Sequence, residues 1–318
     1  MSVPFPGGDD LAGMFEQLGR MVRNGASQGA VDWDAALATA RTAIGDHVPP
    51  SPAQRDMVTQ AASIADVWLD TATQFPATLG GLVAASPREW LEETFSEWRV
   101  VVEPVAAGVA AAMAGALPTS GTGIPDELLA ALPPEVRDQL RIQMQSPEFQ
   151  AMTQQLGALA RGMGANVYGT QFGGALAEMA SSVLGSSDIG VPLTSTARPI
   201  LVHANIDTMA AGLGVAVSDV LVYCAVRELA HQRLFTAAPW VGAQLRGALQ
   251  RYAAGVRIDT ARISEAMSSV DPGDPESLTE LLDGNVFTPE PTADQRMALE
   301  SLETLLALVE GWVTTVTH

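Results

Sequence analysis

Arg227, Glu228 and His231 occupy the first, second and fifth places of the run Arg-Glu-Leu-Ala-His. On a helix the first and fifth places project from one face, because residues four apart lie one above the other. With histidine at both places, the spacing H-E-x-x-H holds a zinc ion, and the glutamate activates the bound water. Here arginine takes the first place. A guanidinium is cationic at any working pH and has no lone pair to give a metal. The run therefore reads either as a metal site that has been lost or as one assembled from other residues.

The stretch that must position these groups is Ser218 to Phe235, read as one buried helix. By the helical period Val220, Tyr223, Cys224, Arg227, His231 and Leu234 share a face, and the opposite face is also largely apolar. A guanidinium in such surroundings needs a carboxylate, because an unpaired buried charge is strongly unfavourable. Glu303 and Glu310, seven residues apart on the last helix with Leu306 between them, offer that supply. The expectation is that this face meets Arg227 and His231. Cys224 is the single cysteine, so an intrachain disulfide framework is excluded, and its apolar setting reads as an inert core thiol.

Helix starts are legible along the rest of the chain. Ser51-Pro52 opens a helix to about Thr73, and Ser86-Pro87-Arg88-Glu89 is a capping box with proline at the first helical position. Trp90, Leu91, Phe95 and Trp98 follow at helical spacing, and Pro104 is expected to kink or divide that helix. Asp32 to Ile44 and Pro239 to Tyr252 read as helices, and Thr292 with Gln295 caps a final helix over 293–316. Gly162, Gly169 and Gly173 of a small-residue helix would admit another backbone at close range. Arg198 to Ala204 is the strand candidate. The fold class expected is mainly α, multi-helix, with at most a small β element near 198–204.

Composition narrows the function classes. The 318 residues are 47% hydrophobic, enough for a sizeable core, and only 5% aromatic. The net charge of −19 disfavours nucleic acid as a partner. All 17 basic residues are arginine. Val100 to Leu117 is the most apolar run, but it is mainly Ala and Gly and contains Glu103-Pro104, so no membrane span is expected. The first residues lack a basic and an apolar leader region, which reads as cytoplasmic.

The segments GSSDIGVP (185–192), RELAHQRLFTAAPW (227–240) and LETLLALVEGWV (302–313) resemble an actinobacterial zincin-like metallopeptidase family whose members are labelled hydrolases. A sister branch is associated by name with biosynthesis of a deazaflavin cofactor. The resemblance runs from about Trp33 to the C-terminus. It implies a fold around a zincin-type helix, and a metal held by two motif histidines and a downstream glutamate. Carried onto this chain, it makes Glu228 the general base, His231 a ligand, and Glu310 of Glu-Gly-Trp the third ligand. The expected organisation is a flexible segment over 1–30, a helical subdomain over 31–117, a linker over 118–125, and a zincin-like helical domain over 126–318.

Arg227 departs from the family pattern. His203 and His318 are the remaining histidine candidates, each read first as a hydrogen-bonded or surface residue. Three readings stand. In the first, Arg227 replaces the metal, bridges Glu228 or Glu310 with Glu303 nearby in the same ion-pair set, holds the helices together, and the protein binds a protein or peptide partner without catalysis. In the second, zinc sits on His231, Glu310 and a further ligand, and Glu228 activates water for hydrolysis. In the third, the cluster is a structural polar network. The reading preferred is the first, with no cofactor favoured over zinc.

Overall fold

The computed structural model describes residues 29–46, 48–78, 80–116, 146–194, 198–255 and 291–318. The expectations for 1–28, the linker 118–125, and the segments 126–145 and 259–290 lie outside them. Among the described residues the elements are α1 (Trp33–Ile44), α2 (Pro52–Ala72), β1 (Val83–Ala85), α3 (Pro87–Ala116), α4 (Pro147–Ala180), β2 (Ile200–Val202), α5 (His203–Leu213), α6 (Val217–Ala237), α7 (Pro239–Ala254) and α8 (Ala293–Thr317). The fold is mainly α with one small parallel sheet. None of the described helices is long and apolar enough to cross a membrane.

The capping signals place the helix starts. Gln54 N donates to Ser51 Oγ at 3.3 Å and Ser51 N to Gln54 Oε1 at 2.8 Å, which closes the box that opens α2. Ser86 and Glu89 do the same for α3, and Thr292 and Gln295 for α8. Each pair satisfies two backbone donors that the first turn leaves without helical partners. Pro104 neither ends nor divides α3, which runs through it.

Two compact units divide the chain. One takes Trp33–Val105, Thr170–Gly255 and Pro291–His318, and it carries Arg227, Glu228, His231 and Glu310. This unit draws on both sides of residues 118–125, so the expected boundary there does not separate its packed elements. The reason is α6. A helix apolar nearly all round can only be satisfied by neighbours on every side. It packs along α2 and also against α5, α7, α8 and β2. Leu69 of α2, Leu201 of β2, Ile206 of α5 and Val313 of α8 join Leu221, Ala225 and Leu229 of α6 in one core. A second core gathers Trp90, Leu91 and Trp98 of α3 with Leu176 and Ala180 of α4. Gly173 lies against the Ala36 carbonyl of α1, where a Cβ would collide with the backbone. In the other unit, Gly169 lies likewise against the Asp32 carbonyl.

The sheet pairs Val83 with Ile200, Ala84 with Leu201 and Ala85 with Val202. On its other side β2 is bridged by Gly185, with Ser186 N donating to Ile200 O at 3.1 Å and Val202 N to Leu184 O at 2.9 Å. The loop after α4 is thereby fixed beside the strand.

The fully buried guanidinium of this unit is Arg233, not Arg227. Its side chain is 1% exposed, against 27% for Arg227. It reaches from α6 to α2, donating at 2.8 Å to Asp66 Oδ1 and to Asp70 Oδ1, and at 3.1 Å to the Phe75 carbonyl. Asp66 and Asp70 stand four apart and present both acceptors from one face of α2. Replacing Arg233 with alanine is expected to lower the unfolding free energy by about 2–4 kcal/mol, because it empties a buried site and removes the donor to the Phe75 carbonyl, while the two aspartates remain solvated. Urea denaturation reads this directly. A loss within about 0.5 kcal/mol, typical of surface positions, would contradict it.

Candidate functional site

Arg227 and His231 lie one turn apart on α6 and meet Glu310 of α8. Arg227 Nη2 donates to Glu310 Oε2 at 2.5 Å, and His231 Nε2 lies 2.9 Å from Glu310 Oε1. The same ring's Nδ1 lies 2.9 Å from the Arg227 carbonyl. A carbonyl oxygen can only accept, so Nδ1 carries a hydrogen. The hydrogen between Nε2 and Oε1 has two candidate owners. Partial burial alone would raise the Glu310 carboxyl, but hydrogen bonds from His231 and Arg227, and their charges, outweigh it and hold the group below the usual carboxylate range. Both Glu310 oxygens are thus engaged, one by each side chain of α6. Arg227 also lies over the exposed ring of Tyr223, its Cζ 6.0 Å from the centroid, and the His231 ring stacks on Phe235.

Glu228 faces another way. It is buried, and its partners come from the loop after α4. Ser186 Oγ makes a short hydrogen bond to Oε1, Ser187 Oγ donates to the same oxygen at 3.2 Å, and Ser187 N donates to Oε2 at 3.0 Å. Gln232 Nε2 donates to Ser187 Oγ at 3.1 Å, so a second residue of α6 holds the same serine. Burial pushes the Glu228 carboxyl up, against the lowering effect of Ser186, His231 and Ser187. Gly185 is required here, because a Cβ would come 2.5 Å from Glu228 Oε2. Gly190, at φ +75°, turns the loop back, and a Cβ there would meet Leu306 of α8 at 3.0 Å. The loop is therefore held by Glu228 at one end and lies close against α8 at the other.

The remaining sequence candidates are elsewhere. Glu303 is exposed on α8 and forms no ion pair among the described residues. His203 is buried at the start of α5, with Nδ1 3.0 Å from Asp207 Oδ2 and 3.3 Å from Gln54 Nε2. His318 is exposed at the end of α8. Cys224 is buried, and burial first, then the charges of Asp188 and Glu228, push its thiol up to about 12 despite Arg227. Such a thiol is not nucleophilic at neutral pH. Ser186 and Ser187 were not among the sequence candidates. The motif GSSDIGVP contained them, but nothing in the spacing connected them to a residue some forty positions later.

The zinc that the resemblance implies does not fit these side chains. Arg227 offers a charge of the metal's own sign and no lone pair. Both ring nitrogens of His231 lie within hydrogen-bond distance of oxygens already present, those of Arg227 and Glu310. Both Glu310 oxygens are engaged, and both Glu228 oxygens are spent on the serine loop. Among the described residues no three His, Cys, Asp or Glu side chains are grouped to hold a metal.

A family model of zincin-like metallopeptidases matches residues 31–318. No curated protein matches the chain. Among solved structures, the crystal structure of a candidate hydrolase with a novel fold from Chloroflexus aurantiacus aligns at 16% identity and a TM-score of 0.46, covering 90% of this chain and 80% of that one.

The depressed Glu310 carboxyl fixes the sign of a pH effect. A group held below its unfolded value adds stability that is fully present above that value, about 4.3 for glutamate, and is lost as pH falls through the folded value. Arg227→Met should therefore cost about 1 kcal/mol at neutral pH, as a half-exposed pair does. The difference from wild type should shrink as pH falls below about 4. The raised Glu228 carboxyl acts with the opposite sign, but it is common to both proteins and cancels. Urea unfolding at stepped pH checks this. A difference that grows on acidification would contradict it.

Proposed function

The chain belongs to the family of zincin-like metallopeptidases, and from that premise we propose that it is a member without hydrolytic activity. Its role on this reading is to bind or scaffold a protein or peptide partner in the cytoplasm. The observation that carries the reading is the closed set of contacts among Arg227, Glu310 and His231. A cation tethered to α6 stands where the family places its first ligand, and it occupies the carboxylate that a metal would need.

Glu228 supports the same reading. A general base has to reach the proton it removes. This carboxylate instead accepts three hydrogen bonds from Ser186 and Ser187 inside the protein. Its role is to position residues 185–192. Hydrolysis would require Arg227 to release Glu310, His231 to free a nitrogen, and Glu228 to leave the serines. No observation favours that rearrangement.

The experiment is to incubate the full chain with a mixed peptide library in buffer supplied with zinc, and to follow products by mass spectrometry. The expected result is no cleavage above the rate without protein. Cleavage that disappears in Glu228→Gln would overturn the proposal and restore the hydrolase reading.

A further inference from the structure

A second place in the same unit has the composition of a ligand site and plays no part in the reading above. A cavity of about 120 Å³ lies at the small sheet. Its apolar wall is Val83–Ala85 of β1 with Ile200 of β2, and its charged wall is Arg198, Glu89 and Glu93. At about 30 Å³ for each water-sized group there is room for about four of them, or for a compact molecule of slightly more covalently joined heavy atoms.

The charges are arranged without being used. Glu89 and Glu93 stand four apart on α3, so both come from one helix face. Glu89 spends Oε2 on the Ser86 backbone and hydroxyl. Glu93 and Arg198 have no hydrogen bond or ion pair with any described residue, and they do not pair with each other. Two carboxylates and a guanidinium thus line one small space at separations too long for direct contact. A lone anion entering it would meet two like charges, and a lone cation would meet the arginine. A molecule carrying both an ammonium and a carboxylate on neighbouring atoms answers all three groups.

We propose that this cavity binds a small zwitterion of the α-amino-acid kind. Its carboxylate is taken by Arg198 through paired N–H donors. Its ammonium is shared by Glu93 and the free oxygen of Glu89, and its carbon lies over the alanines of β1. A space of about 120 Å³ leaves room only for a small substituent. Glycine and L-alanine are therefore the probes.

The test is a titration of the full-length protein with glycine, followed by backbone amide shifts in two-dimensional NMR. Saturable shifts at Ala84, Ala85 and Glu93 are expected. Arg198→Ala and Glu93→Gln should each weaken the affinity by about tenfold, and acetate and methylammonium should each bind at least about tenfold more weakly than glycine. Both substituted side chains are exposed, so the variants should keep the wild-type melting temperature. No saturable shift by about 100 mM glycine would overturn the proposal. So would an Arg198→Ala affinity equal to wild type, or acetate binding as well as glycine, which would mark a plain anion contact.

Discussion

Glu310 has two carboxylate oxygens, and the packing of α8 on α6 gives one to Arg227 and the other to His231. That allocation decides what the site can do. A carboxylate serving a guanidinium and an imidazole ring is already engaged on both oxygens, and both ring nitrogens face oxygens of the protein. Three side chains that could be read as a damaged metal site are instead mutually complete. They hold two helices together across a half-exposed surface, where each contact is worth little alone and the set is geometrically specific.

The second dependency runs through Glu228. Its backbone belongs to α6, but its carboxylate organises the loop between α4 and β2. Through Gly185 that loop is bridged to β2, and through Gly190 it lies against α8 beside Glu310. One helix therefore positions the triad with one face and a wall next to it with another. Both duties place polar groups on a helix that is otherwise core, and their partners come from neighbouring elements. Arg233 illustrates the rule most strongly, with two carboxylates and a carbonyl around a guanidinium that is almost wholly enclosed.

Helix starts were legible because capping is local. Ser51, Ser86 and Thr292 each meet a partner three residues on. The pairing of Arg227 and His231 with the last helix was also legible, because a buried charge demands an acceptor and few acidic residues share an apolar helix with the right spacing. Of the two offered, Glu310 makes the contact and Glu303 points to solvent. Periodicity assigns a face, but it does not assign depth along a neighbour. For the same reason it could not tell Arg227 from Arg233, two arginines of one helix, of which α2 encloses the second. Ser186 and Ser187 were hidden because their partner is distant in sequence. β1 was hidden because three small residues carry no alternating pattern, and its pairing is made by a strand more than a hundred positions away.

The central claim is that the resident cation of the site is Arg227. Equilibrium dialysis of the untagged protein against zinc, followed by elemental analysis, tests it most directly. The account predicts no stoichiometric zinc. About one zinc per chain, lost on replacing His231 with alanine, would contradict it, because three protein ligands would then have to be found where the structure has an ion triad.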